Sequence, residues 1–170
     1  MEVRIQDNYK TGLRQFEGEL KVTSPTNDES AMQIFGNNGD GATTLMIRSF
    51  SRNGGTLRGG GKDLVSNIYG KWVRVNVTHD ATANKYSVYI NGDLKVTANG
   101  PKGTHYFKYG VYGTLGTASA QHQWRNVHFY RKLAGGRLAA PMDRDVGPPG
   151  CRKCDRNGLR AKPRSVRWRL

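Results

Sequence analysis

The segment YFKYGVY, residues 106–112, combines side chains that could bind and transform a ligand. In an extended strand Tyr106, Lys108 and Tyr112 would share one face, with Gly110 between the last two. The residues of the opposite face are Phe107, Tyr109 and Val111. Phenols and an ammonium can hydrogen-bond or attract an anion, and a glycine leaves room for a ligand against the backbone. We therefore predict a strand that floors a ligand groove on one face and packs in the core on the other, although aromatic residues also favour strands for packing alone.

Glu17 and Glu19 form a second arrangement with potential chemistry. Two residues apart on a strand, their carboxylates would lie about 6.6 Å apart on one face, and paired carboxylates are the groups that hydrolyse glycosides. The run RQFEGELKV, however, alternates charged and apolar residues, which is typical of a strand with a solvated outer face. We favour the solvated face for both glutamates.

Histidines and cysteines do not form a recognisable metal-binding motif in this sequence. The four histidines have no partner at metal-ligand spacing: His79, His105, His122 and His128. Cys151 and Cys154 form a CRKC pair, but a zinc site needs four ligands and no second pair follows. We therefore predict no metal. His105 immediately precedes YFKYGVY, so it is the histidine that could reach the end of the predicted groove.

The formal charge of +14 is divided between two parts of the 170-residue chain. Residues 1–132 hold 17 Lys/Arg against 10 Asp/Glu, and residues 133–170 hold 10 against 3. An excess spread in this way does not predict a nucleic-acid surface, whereas a modest positive field would suit an acidic polysaccharide. No apolar run is long enough to span a bilayer, and no apolar secretion signal opens the sequence.

Alternating polarity with a period of two residues dominates from Arg14 to Lys132. RQFEGELKV, KWVRVNVTH and HQWRNVHFY alternate in this way, and glycine-rich connectors separate such runs. Asn91 and Gly92 lie between two runs and predict a type I′ hairpin turn, which needs positive φ at both residues. Many short strands with one apolar face each predict an all-β sandwich or β-jelly roll.

The periodicity ends after Lys132. Residues 133–170 carry Pro and Gly punctuation and end strongly basic. We therefore predict a jelly-roll domain in residues 1–132, followed by a disordered tail in residues 133–170. A functional basic tail is the alternative.

Three short blocks, at residues 2–4 (EVR), 32–36 (MQIFG) and 106–112 (YFKYGVY), occur in an order that resembles the signature blocks of the alginate lyase family 7 superfamily. The similarity is greatest to its citrate-binding-protein-like branch, and it extends to GATTLMIR, NIYGKWVRVNVTHD and YINGDLK. It covers residues 2–132. The resemblance implies a β-jelly roll, a concanavalin-like sandwich of two antiparallel sheets, whose concave sheet forms a polysaccharide groove in a secreted protein.

The resemblance also implies β-elimination at a uronic acid, a reaction that needs no cofactor. Such an enzyme neutralises the C6 carboxylate, removes the C5 proton and protonates the leaving O4. By position in the blocks, Tyr112 would be the acid and base, and Gln33 and Arg4 would neutralise the carboxylate. The predicted substrate-binding residues are Glu2, Arg48, His105, Tyr106 and Lys108. Lys108 is about 13 Å from Tyr112 along a strand, so it would hold the carboxylate of a neighbouring sugar.

Three positions depart from the family pattern. Phe35 stands two residues after Gln33, where active lyases usually have a His, and a phenyl ring carries no proton. Thr114 replaces a common Gln after the third block, and the Arg that opens the first block would precede Met1.

Three functions stay open on these grounds. The first is a lyase of an alginate- or glucuronan-type polyuronate, and the second is a non-catalytic binder of acidic carbohydrate or a small organic anion. The third is an inactive, truncated family member. For the first two we expect a secreted monomer whose partner is an acidic polysaccharide or oligosaccharide, with no nucleic-acid or membrane partner.

Overall fold

The computed structural model of the chain describes residues 1–36, 43–113 and 120–132. In these ranges the chain forms eleven strands and one short 3-10 helix, Arg52–Gly54. The strands are β1 (Glu2–Arg4), β2 (Leu13–Val22), β3 (Glu29–Phe35), β4 (Thr43–Phe50), β5 (Thr56–Gly59), β6 (Lys62–Ser66), β7 (Trp72–Asp80), β8 (Lys85–Ile90), β9 (Asp93–Asn99), β10 (Tyr106–Tyr112) and β11 (His122–Arg131). The predicted disordered tail, residues 133–170, lies outside the described residues.

The strands form two antiparallel sheets. The six-stranded sheet has the order β1-β10-β3-β4-β5-β6, and the five-stranded sheet has the order β11-β2-β7-β8-β9. Hairpins connect β3 through β6 and β7 through β9, whereas β1 pairs with β10 and β2 pairs with β11 across long stretches of sequence. The prediction of an all-β jelly roll is confirmed.

The core lies between the two sheets and is built from the apolar face of each strand. In β2 and β7 the predicted alternation places one set of residues inside: Phe16, Leu20 and Val22, with Val73, Val75 and Val77. Phe16 and Phe107 come from opposite sheets, are fully buried, and stack with ring centroids 6.2 Å apart. Burial of a Phe side chain stabilises a fold by about 1.5–3 kcal/mol. This contact therefore holds β10 firmly against the five-stranded sheet.

Strand β10 keeps the predicted alternation as far as Tyr109. Phe107 is fully buried and Tyr109 packs against the core, whereas Tyr106 and Lys108 face outward. A β-bulge then separates Tyr109 from Tyr112 in the pairing with β3. Because a bulge adds a residue to one strand, it changes which way the following side chains point.

Gly110 lies in this bulge with a φ of 131°, a conformation that glycine adopts far more readily than other residues. A Cβ at this position would lie 2.6 Å from the Met1 carbonyl oxygen. The prediction that Gly110 makes room for a ligand is therefore wrong. The space is taken by the backbone of β1, in which Glu2 is the pairing partner of Gly110.

Two predictions concern the five-stranded sheet. Asn91 and Gly92 have φ values of 52° and 96°, so the positive φ expected of a type I′ turn is confirmed.

Glu17 and Glu19 lie on the outer face of the sheet, where Glu17 accepts a cross-strand amide hydrogen bond of 3.0 Å. Glu19 accepts a bond of 2.8 Å from Arg125, and this bond together with one from Asn126 lowers the Glu19 pKa. Both carboxylates are thus engaged in local surface pairs.

Candidate functional site

The outer face of the six-stranded sheet brings most of the predicted site residues together. Lys108 of β10 is paired with Arg4 on one side and with Gln33 on the other. Next to this row, Tyr106 is opposite Phe35. Directly opposed residues of antiparallel strands share a face, so these side chains form one surface. We call it the Lys108 patch, and it comprises Glu2, Arg4, Gln33, Phe35, Tyr106 and Lys108.

Glu2 is held at the centre of the Lys108 patch. Its Oε1 accepts a hydrogen bond of 2.9 Å from Gln33 Nε2, and its Oε2 lies 3.1 Å from Lys108 Nζ. An amide donor and an ammonium are the groups that hold a carboxylate in proteins. The patch therefore binds a carboxylate already, and that carboxylate belongs to the chain. Because both oxygens of Glu2 are engaged, its direct effect is to position Gln33 and Lys108.

Aromatic rings form the base of the Lys108 patch. Lys108 Nζ lies 4.4 Å from the centroid of the Phe35 ring, and the Phe35 and Tyr106 centroids are 5.3 Å apart. Arg4 Cζ lies 3.9 Å from the Tyr106 ring, and Arg4 also donates a bond of 2.8 Å to Asn8. Cations at these distances are attracted to the ring faces. Two positive groups are thereby held over two rings at the Tyr106 end of β10.

Tyr112 lies on a second row of the same face, which we call the Tyr112 row. The row consists of successive opposed residues on five strands: Tyr112, Ser30, Arg48, Arg58 and Asp63. Tyr112 is 52% exposed, so its phenol is open to solvent. Gln33 Nε2 lies 3.1 Å from Ser30 Oγ. The Gln33 amide therefore connects the Lys108 patch with the Tyr112 row.

Arg48 and Arg4 occupy different parts of this face. Arg48 is two strands from Tyr112, or about 10 Å between Cα atoms, and its guanidinium forms an ion pair of 2.7 Å with Asp28. Arg4 is paired with Lys108 and reaches toward Tyr106, at the opposite end of β10 from Tyr112. Of the two arginines, Arg48 is the one that shares a row with Tyr112.

His105 does not lie at the groove. Its side chain is fully buried, its Nδ1 lies 2.9 Å from Gly36 O, and its ring centroid is 4.7 Å from that of His79. Burial lowers the pKa of His105, which favours the neutral imidazole. The prediction that His105 reaches the groove is wrong, because a backbone bridge to Tyr9 fixes this segment with the side chain inward. His105 shares its strand parity with buried Phe107, and that pattern could have indicated the core.

His122 is a residue that sequence reasoning missed. Its Nε2 lies 2.8 Å from Ser49 Oγ and its Nδ1 lies 2.8 Å from Gly110 O. Burial lowers the pKa of His122. The imidazole thus supports the bulge of β10 from the core side, next to Tyr112. Its partners are 73 and 12 positions away in the chain, so no local sequence pattern marks it.

Other kinds of site are not apparent in the part of the chain that the structure describes. In residues 1–36, 43–113 and 120–132 no three His, Cys, Asp or Glu side chains are grouped as metal ligands. A helix long and apolar enough to cross a membrane is also absent from these ranges.

A shallow depression of about 360 Å³ lies away from the Tyr112 row, with Lys10, Thr82, Lys102 and Thr104 in its lining. Cys151, Cys154 and Thr114 fall outside the described residues.

Two packed antiparallel sheets define a β-jelly-roll protein. A family model described as alginate lyase matches residues 2–133. The chain therefore belongs to the alginate lyase family.

Similar proteins include both a binding protein and lyases. The chain is 37% identical over 142 residues to the citrate-binding protein of Hevea brasiliensis, covering 79% of this chain and 58% of that protein. Alginate lyase AlgAT5 of polysaccharide lyase family 7 is 25% identical, with a TM-score of 0.58 over 78% of this chain and 69% of that chain. The alginate lyase from Alteromonas sp. 272 is 14% identical, with a TM-score of 0.59 over 76% of this chain and 78% of that chain, and shows the same fold. The chain spans 58% of the length of the citrate-binding protein.

Proposed function

We propose that this chain is a lyase that binds an acidic polyuronate, of the alginate or glucuronan type, and cleaves it by β-elimination. The observation that carries the proposal is the Tyr112 row. It combines an exposed phenol with a Ser30 hydroxyl that is bonded to Gln33 and a guanidinium from Arg48 on the same face. The alginate lyase family and the lyase structures of the same fold support this class of reaction.

The first task of such a lyase is to neutralise the C6 carboxylate. Removal of the C5 proton places negative charge on this group, and donors that already face it lower the barrier. Gln33 would donate to the substrate carboxylate the amide hydrogen that now bonds Glu2, and Arg48 would supply positive charge on the Tyr112 row. Arg4 and Lys108 would hold the carboxylate of the neighbouring sugar, because both face the Tyr106 end of β10.

The second task is proton transfer, which we assign to Tyr112. The phenolate takes the C5 proton, the C–H electron pair becomes the C4–C5 double bond, and the phenol returns a proton to O4 as the C4–O4 bond breaks. Phe35 carries no proton, so Tyr112 would serve both steps. One group can do so only when H5 and O4 lie on the same side of the sugar ring. This arrangement occurs in D-mannuronate and D-glucuronate, whereas the two groups lie on opposite sides in L-guluronate.

Ultraviolet absorbance of the unsaturated product tests the proposal. The full chain is incubated separately with poly-mannuronate, glucuronan and poly-guluronate. We expect product from poly-mannuronate or glucuronan and none from poly-guluronate. No product from any of the three, with binding retained, would contradict the lyase proposal.

A non-catalytic binder of acidic carbohydrate or a small organic anion is the second candidate. It is favoured by Phe35, which packs against Tyr106 beneath Lys108 at a position next to Gln33. The Phe35 ring attracts the Lys108 ammonium and so holds this anion-binding group in place, but the ring transfers no proton. The similarity to a citrate-binding protein supports the same function. Binding without product in the absorbance assay would favour this candidate.

We further propose that the protein acts outside the cell as a monomer. Membership of the alginate lyase family supports secretion. Fractionation of the producing cells and light scattering of the purified chain test these two points. Protein found only inside the producing cells would contradict secretion. A measured mass equal to two chains would contradict the monomer.

A further inference from the structure

We propose that Phe50, Arg52 and Arg58 form a second carboxylate-binding subsite on the outer face of the six-stranded sheet. Sugars on one side of the reacting centre would bind the Lys108 patch, and sugars on the other side would continue along the Tyr112 row, across the strands, to reach this subsite. This inference rests on the proposed function, since both use the same face. It implies that the ligand is a chain of several sugar acids, because one small anion could not contact both ends of the row.

The register of the sheet sets the length of this site. Tyr112, on β10, is separated from Arg58, on β5, by three strand spacings, or about 14 Å. Ile47 and Leu57 are fully buried next to Arg48 and Arg58 in sequence, so the two arginines point to the outer face. A single uronic acid or a citrate-sized anion spans only part of that distance. An oligosaccharide laid across the strands could contact every position.

The charges on this row are arranged at a cost to the fold. Arg48 and Arg58 are directly opposed on β4 and β5, and like charges in such a pair destabilise a sheet. Asp28 and Asp63 offset the repulsion with ion pairs of 2.7 Å and 2.9 Å. Arg52 is also bonded to the Oδ1 atom of Asp63. Arg52 and Arg58 therefore share the single carboxylate of Asp63.

Asp63 occupies the position that a ligand carboxylate would take. One of its oxygens accepts bonds from both Arg52 and Arg58, as a substrate carboxylate bound between two guanidinium groups would do. The side chains of the arginines in these pairs are 30–47% exposed, so a ligand can approach them. Binding would replace an internal ion pair with one to the ligand.

Phe50 gives this subsite a flat apolar surface. The Arg48 and Arg52 guanidinium carbons lie 5.7 Å and 5.4 Å from the centroid of its ring. Two guanidinium groups therefore lie near one half-buried aromatic ring. The ring can contact the apolar side of a sugar while a neighbouring guanidinium binds the carboxylate of that sugar.

Calorimetric titration of the full chain tests this inference. The probes are a poly-mannuronate oligosaccharide, monomeric mannuronate and citrate. We expect Arg58→Gln to weaken oligosaccharide binding by about fivefold, the effect of losing one exposed ion pair, and to leave monomer and citrate binding unchanged. Arg74→Gln, on the outer face of the other sheet, is the matched control. It should change neither the binding of the oligosaccharide nor the binding of the monomer and citrate.

Two further variants keep the test independent of folding defects. Arg52→Gln should repeat the selective loss, and Asp63→Asn should tighten oligosaccharide binding because it removes the competing carboxylate. Unchanged oligosaccharide binding in both arginine variants, or an equal loss for citrate, would overturn the subsite. Failure of the lyase proposal would instead appear as absent turnover with this binding pattern intact, so the two outcomes are distinguishable.

Discussion

The amide nitrogen of Gln33 lies 2.9 Å from Oε1 of Glu2, so strand β3 holds a carboxylate that comes from strand β1. The other oxygen of Glu2 lies 3.1 Å from Lys108 Nζ. An amide and an ammonium that already hold one carboxylate are suited to hold another. Glu2 therefore both orders these donors and competes with an anionic ligand for them.

Substitution of Glu2 by Gln separates these two effects. Glu2→Gln removes a negative charge next to Lys108, so we expect a carboxylated oligosaccharide to bind about threefold more tightly, within the range of a single partly exposed charge interaction. The same change should lower the free energy of unfolding by about 1 kcal/mol, because a hydrogen-bonded ion pair is lost. Calorimetric titration and urea denaturation measure the two quantities.

The control for this prediction is Asp93→Asn. Asp93 forms a surface pair with Lys95 on the five-stranded sheet, away from the Lys108 patch. The Asp93→Asn substitution should leave both the oligosaccharide affinity and the free energy of unfolding nearly unchanged. Weaker oligosaccharide binding by Glu2→Gln than by the natural chain would contradict a competing role for Glu2.

Phe35 is the position at which the resemblance to active lyases places a histidine. Phe35→His places an imidazole near Gln33, and the Lys108 ammonium beside it would favour the neutral form that acts as a base. We expect cleavage of poly-guluronate to increase roughly tenfold or more over Phe35→Leu, since a positioned base contributes at least this much. Product absorbance at pH 7 measures the change. Equal rates for the two variants would exclude proton transfer from this position.

Buried His79 predicts that the fold loses stability in acid. Burial, and to a smaller extent the neighbouring His105, lowers the pKa of His79 to about 4 from 6.5. Between these values the unfolded chain binds more protons, so stability is fully present above pH 6.5 and is lost as the pH falls toward 4. We expect a loss on the order of 3 kcal/mol from this group.

Urea denaturation at pH 7.5 and pH 4.5 measures this loss. His79→Gln removes the titrating group and should make the difference between the two pH values smaller. Equal stability of the natural chain at both pH values would contradict the assignment.

The faces of individual strands could be predicted from alternation in the sequence. The alternation predicts that Phe107 and Tyr109 point inward, and both lie against the core. It predicts that Tyr106 and Lys108 point outward, and both do so. The same alternation also puts His105 on the buried face, whereas its position next to the motif predicted a place at the end of the groove. A period of two residues is a local property, so it predicts which way a side chain points.

Contacts between strands could not be predicted in this way. The bulge at Gly110 depends on the approach of β1, and the Tyr112 row depends on the pairing of β10, β3 and β4. Register is set by strands that are far apart in sequence. For this reason the sequence alone could not show that Arg4 lies opposite Lys108, or that Arg48 shares the row of Tyr112.

Turnover by Tyr112→Phe tests the central claim most directly. Tyr112 is 52% exposed, so loss of its hydroxyl should leave thermal stability unchanged, and Tyr89→Phe on the five-stranded sheet is the matched control. With poly-mannuronate or glucuronan as substrate, we expect Tyr112→Phe to reduce the rate of unsaturated product formation by on the order of 10²-fold, while oligosaccharide binding and the Tyr89→Phe rate stay the same. Full turnover by Tyr112→Phe would contradict the assignment of proton transfer to Tyr112.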